Sequence, residues 1–220
     1  MRPAVVTLTY GQNADFLLTY DLFLTGERPV TFSNSYQIDR DDIVVSVGQN
    51  WDAFAVENGA FGAKAGNVVG RKLWDFVQGF ETQSFLKAIF FACRMDMQPF
   101  EILYRCDAPE MKRLFRLSIT PNQDGGLTLD HTEIQTKQSL VDQKITNISE
   151  HYDHTRCSVC CSFLIGENWV DTSTRPDERY FAKSYGICPE CKDAARLALI
   201  DRKQHGRVVM PMARGTERNN

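Results

Sequence analysis

Two short cysteine pairs carry the clearest chemistry in this chain: CSVC at 157–160 and CPEC at 188–191, separated by the 27 residues from 161 to 187. A C-x-x-C turn directs two thiolates toward one place, often with backbone N–H groups facing the sulfurs. Two such turns brought together supply four sulfurs in the tetrahedral arrangement that Zn2+ accepts. Cys157, Cys160, Cys188 and Cys191 are therefore the predicted ligands, and a structural Zn2+ is the expected cofactor. The interval between the pairs exceeds the roughly 15–20 residues usual for such sites. An inserted loop is needed, and the polar, Pro-containing run TSTRPDERY (172–180) suits it.

Three neighbours compete for the shell. Cys161 lies directly beside Cys160, and His151 and His154 lie just upstream. The two-residue spacing favours Cys160 over Cys161, and the simpler reading of the histidines is as solvated residues of a connector. A redox dithiol normally works alone at a helix start in a βαβ context, which this sequence lacks. An iron–sulfur cluster also suits four thiolates, but zinc is the usual occupant of two separated knuckles. A shell closed by four thiolates keeps no position for water, so its expected role is structural and not catalytic.

The whole chain sets bounds on what surrounds this centre. With 220 residues, 43% hydrophobic and 24% charged, it has the composition of a soluble globular protein, of a length for one ordinary domain plus a small one. The net charge of −3 gives no global attraction to nucleic acid or an anionic membrane. No apolar run approaches the roughly 20 residues that span a bilayer, and the first residues lack a secretory pattern. A cytoplasmic location is expected. Five of the seven cysteines fall between 157 and 191, unlike the spread of a secreted disulfide scaffold. Cys93 and Cys106, isolated in apolar or strand-like sequence, read as small buried hydrophobes.

The elements that must position the cysteines follow from periodicity. Residues 1–35 read as an N-terminal extension with β-type segments at Ala4–Tyr10 and Phe16–Leu24. Asp42–Val47 reads as a strand, and Trp51–Glu57 as a helix capped by Asn50 and stopped at Asn58-Gly59. Val68–Phe76 and Ser84–Cys93 carry helical spacing. Gln98–Cys106, Lys112–Thr120 and Leu127–Ile134 alternate as three consecutive strands, the last two joined at Asp124–Gly126. Residues 138–156 suit a connecting helix through Leu140, Val141, Ile145 and Ile148. Lys192–Asp201 reads as a helix leaving the second knuckle, and 202–220 as a basic tail. The 192–220 stretch has seven Lys/Arg against three Asp/Glu. The predicted class is α+β, with helices laid over one antiparallel sheet.

The stretches IVVSVGQNWDAFAVENG (43–59), NVVGRKLWDFV (67–77) and FEILYRCDAPEMKRLFRLSITP (100–121) resemble those of PAS domains. The similarity covers about residues 36–137 and implies a five-stranded antiparallel sheet with covering helices. It also implies a sensory or interaction role and a pocket between helices and sheet. That pocket would be lined by Phe54, Trp74, Phe76, Phe85, Ile89, Ile102 and Phe115, unless these side chains simply fill a core. Haem-binding members supply a His near the helix before the last strands, whereas residues 78–98 here contain none. The flavin photosensors carry a reactive Cys motif that is also missing, so neither haem nor flavin is expected.

The segment from Cys157 to Cys191, with Trp169 and YGICPEC (185–191), resembles a small zinc-ribbon or knuckle module found after PAS or receiver domains in bacterial signalling proteins. It departs from that pattern at Cys161, where Lys is usual, and at Tyr185, where His is common. No Ser/His/Asp order, phosphate loop or H-E-x-x-H motif points to an enzyme. The expected function is regulatory, by contact with a protein partner or in a homodimer. A small-molecule ligand stays open as an input. Nucleic-acid binding through the zinc module and basic tail is the alternative from another class.

Overall fold

The computed structural model describes residues 33–107, 111–138, 149–174, 178–205 and 208–211. The N-terminal segments at Ala4–Tyr10 and Phe16–Leu24 lie outside them. The chain is α+β and forms two mixed sheets. In the first, β1 (Ser33–Ile38), β2 (Val44–Val47), β3 (Phe100–Arg105), β4 (Met111–Pro121) and β5 (Leu127–Gln138) pair antiparallel. A short β10 (Val209–Met210) adds in parallel to β3, and the order is β10-β3-β4-β5-β1-β2. Between β2 and β3 lie α1 (Trp51–Glu57), α2 (Ala65–Val68) and α3 (Phe80–Asp96).

The second sheet has order β8-β7-β6-β9, from β6 (Ser149–Cys157), β7 (Phe163–Ile165), β8 (Asn168–Val170) and β9 (Glu178–Gly186). The 17-residue α4 (Pro189–His205) follows. No helix among the described residues is long and apolar enough to cross a membrane.

Alternation places the first sheet's core. Phe100 and Ile102 of β3, Leu117 and Ile119 of β4, and Leu127 and Leu129 of β5 are all buried. From α3, Ile89, Phe90 and Cys93 pack with them in one cluster. Cys93 is fully buried, as read from sequence, whereas Cys106 is only partly so.

The structure corrects several local expectations. The sheet starts before residue 36: β1 buries Asn34, Tyr36 and Ile38 in alternation. Its polar SNSYQI sequence hides a strand whose partners are distant in the chain. Val68–Phe76 is not a helix. Gly70 takes φ +82, the next residues pair along β2 through Val44 N–H to Arg71 O (2.9 Å), and only a 3-10 turn forms at Leu73–Asp75. Asn50 precedes α1 but makes no side-chain cap; its amide donates to Ser33 O instead.

The connecting helix over 138–156 is overturned where the structure describes it. β5 runs through Gln138, and 149–157 is a strand paired in parallel with β9. The apolar set Leu140, Val141, Ile145 and Ile148 lies outside the described residues. Finally, α4 passes residue 201, and the proposed tail is partly core: Arg202 and Met210 are buried, and β10 returns to the first sheet.

Candidate metal centre

The two cysteine pairs meet. The sulfurs of Cys157, Cys160, Cys188 and Cys191 all lie within 4.8 Å of one another, and all four residues are buried. This group can hold a metal ion. Thiolate bonds of about 2.3 Å in a tetrahedron place the sulfurs about 3.8 Å apart, and Cys160 and Cys188 stand at 3.7 Å. That is far beyond the roughly 2.05 Å of a disulfide, and all seven cysteines are free thiols.

Local structure explains the convergence. The first knuckle closes the end of β6: Cys157 N–H donates to Ser162 O at 2.8 Å and Cys161 N–H to Cys157 O at 3.0 Å. The second knuckle joins β9 to α4, where Pro189 occupies the first helical turn, a position that needs no N–H donor. Cys191 falls in that same turn, near the positive end of the helix dipole. The backbone N–H of Cys188 points to the Cys157 sulfur at 3.4 Å. The parallel pairing of Cys157 with Gly186 then fixes the two knuckles side by side.

Four thiols this close share protons unequally. Hydrogen bonds from Cys160, Cys188 and Cys191 hold Cys157 far below the usual thiol range. The same contacts to Cys157 push Cys188 and Cys191 far above it. A cation at the centre removes this competition by stabilising every thiolate at once.

Cys161 takes another role. Its backbone is left-handed (φ 63) and its thiol donates to Arg105 O at 3.2 Å, while burial pushes its pKa up to about 11. It stands outside the four-sulfur group and ties the knuckle to β3. Serine at this position is expected to leave metal content intact, with one metal per chain by elemental analysis. A Cys161→Ser protein that lost metal beside a Cys160→Ser protein that kept it would reverse the ligand assignment. His151 and His154 also stand outside the group. His151 stacks on Tyr180 with ring centres 4.9 Å apart, and His154 Nδ1 lies 3.1 Å from Leu164 O.

The centre is built into the first sheet and α3. Arg105 N–H donates to Val159 O at 2.8 Å, and the Thr82 and Ser158 hydroxyls are 2.8 Å apart. Glu81, in the first turn of α3, accepts from Ile187 N–H at 3.3 Å and Lys192 at 3.1 Å. The backbones approach so closely that a Cβ on Gly79 (φ +84) would stand 2.2 Å from Tyr185 O. Arg105, almost enclosed, bonds Asp171 at 2.6 Å and also Asp107. The four cysteines belong to the same buried cluster as the sheet residues.

The suggested pocket residues do not share one environment. Phe76, Ile89, Ile102 and Phe115 are buried, whereas Trp74 and Phe85 are half-buried and Phe54 is partly exposed on α1. Trp74 donates to Asp42 at 2.7 Å under Lys87. Phe85 and Ile89 line a groove of about 400 Å3 between α3 and α4. Phe115 stacks on Tyr104 with ring centres 5.5 Å apart.

A polar aromatic group beside Phe115 escaped the sequence reading. His131 stacks on Tyr36, and its Nδ1 lies 2.8 Å from the Tyr104 hydroxyl, while its Nε2 is enclosed without a partner. Alternation of β3 and β5 was the available signal; β1 and the pairing that joins the three strands were not. Burial lowers the His131 pKa to about 4. The unfolded imidazole takes up its proton near 6.5, so protonation between these values favours the unfolded chain. Stability should fall as pH drops from about 6.5 to 4, by roughly 3 kcal/mol from this group. Paired urea titrations of the wild type and His131→Asn should show the extra acid loss only in the wild type. Parallel curves would remove His131 as its source.

No protein-family model matches the chain, and no curated protein matches it significantly. What the chain does must therefore be read from its own residues and geometry.

Proposed function

We propose that this chain is a cytoplasmic regulatory protein that acts by ligand- or partner-dependent contact through a PAS-like domain braced by a structural Zn2+ centre. The observation that carries the reading is the continuity of the buried core, from the helix-covered sheet into the four-sulfur cluster. The five antiparallel strands, with α1–α3 inserted between the second and third, support the PAS resemblance. A shell of four buried thiolates has no site for substrate, and Zn2+ suits four sulfurs without redox change. Displacement of α3 or β3 would be felt at the knuckles through Glu81 and Arg105, and displacement of the knuckles would be felt in return.

Elemental analysis of the purified protein should give one Zn2+ per chain, and its absorption spectrum should lack haem and flavin bands. Proteins recovered with the chain from its own cells should then be reconstituted with it in pure form. The expected result is a stoichiometric complex that weakens on metal removal. Substrate turnover by the chain itself would overturn the proposal. A complex with DNA or RNA that dissolves steeply with salt would move the reading to the nucleic-acid alternative.

A further inference from the structure

The groove between α3 and α4 has a form and charge that the metal centre does not use. The two helices are clamped at both ends, by Glu81–Lys192 at 3.1 Å and by Asp96–Arg202 at 2.9 Å. Between the clamps, Ala88, Ala92 and Ala195 are too short to fill the space, and Phe85 and Leu199 wall the trough. Helical spacing continues the apolar surface outward from Ala88 and Ala92 to Phe91 and Met95, which are 65% and 66% exposed. Ile200, on the facing rim, is 49% exposed. An apolar surface bordered by charge is a form that interaction sites take.

Two carboxylates, Glu81 and Asp96, stand at the ends of that border and are taken up by Lys192 and Arg202. Among the described residues, the ionisable side chains lining the groove are basic: Lys192, Arg196, Lys203 and the buried Arg202. Lys192, Arg196 and Lys203 follow one another at i, i+4 and i+11, so they run along one edge of α4 for about 16 Å, or three turns. The acid beside Arg196 is Asp193, at 3.6 Å with both side chains 67% exposed, a pairing too weak to withdraw the arginine.

We propose that this groove docks an amphipathic helix of a partner protein, with apolar residues facing the trough and carboxylates facing Arg196 and Lys203. This rests on the regulatory reading above and names the class of partner. A helix laid between two helices buries its apolar stripe in the groove-recognition mode. A second copy of this chain is the poorer fit, because a self-complementary contact would oppose the two basic edges.

The test uses the full zinc-loaded chain and three labelled 18-residue peptides. One is a designed helix with an apolar stripe flanked by Glu, one replaces each Glu by Lys, and one carries a central Pro. Fluorescence anisotropy should show the Glu helix binding at least tenfold more tightly than either other peptide. Lys203→Glu and Ala88→Glu both alter exposed positions. Each should weaken the Glu helix at least tenfold and improve the Lys helix.

Equal affinity for the Glu and Lys helices, no binding of the Glu helix, or indifference to both substitutions would overturn the proposal. So would a dimer that Ala88→Glu converts to monomer, or a trough opened to peptide only by deleting residues 1–32. A partner complex that survives both substitutions would sink the groove alone and leave the regulatory reading standing.

Discussion

Cys188→Ser is expected to abolish stoichiometric metal binding and to cost more stability than any other single change described here. Cys188 stands 3.7 Å from Cys160, and its backbone supports Cys157. Serine would leave three thiolates and, in place of the fourth, a neutral hydroxyl that does not replace a thiolate as ligand. Structural zinc contributes roughly 10–16 kcal/mol in small zinc peptides. Losing even half of that would equal or exceed the lower part of the roughly 5–15 kcal/mol that holds an average domain together. The loss should not stop at the knuckles. Val159, Ser158 and Ile187 bond to Arg105, Thr82 and Glu81, so amide exchange should quicken at the end of β3 and the start of α3 as well. Chelation of the wild type should reproduce both effects. Full metal content with an unchanged melting temperature in Cys188→Ser would end the metal-centre assignment.

Arg202→Ala should be the next most damaging change, at about 3–4 kcal/mol. The guanidinium is 2% exposed at the C-terminal end of α3. It donates to Ala92 O at 3.2 Å, Gln98 O at 3.0 Å and Asp96 at 2.9 Å, and reaches the Cys93 sulfur at 3.4 Å. Its plane also lies 5.6 Å from the Phe100 ring centre. Alanine would remove the donors from carbonyls at a helix end and open a void beside Phe100. Arg202→Met restores most of the volume without the donors, so it should recover only part of the loss in urea denaturation. Equal and small effects for both would show that Arg202 does not fasten α4 to α3.

The four converging cysteines were legible in the sequence because C-x-x-C spacing is a local constraint: two residues between thiols set the turn whatever surrounds it. The same holds for β3, β4 and β5, whose alternation marks a buried face before any partner is known, and for α1, ended at Asn58-Gly59. Trp51–Glu57 and the three strand cores therefore stand where periodicity put them.

Other features depend on residues far apart in the chain, and only the tertiary structure decided them. SNSYQI carries little β signal, yet it pairs with β5 nearly a hundred residues later because Tyr36 and Ile38 meet a prepared face. HYDHTR is polar enough to pass for a connector, but pairing with β9 makes it a strand. Arg202 looks like one cation of a basic tail; its burial depends on carbonyls of Ala92 in α3 and Gln98 just beyond it, about a hundred residues earlier. Cys161 shows the distinction within a single knuckle. Spacing alone set it apart from the four converging cysteines, but its bond to Arg105 exists only because the knuckle packs against the first sheet.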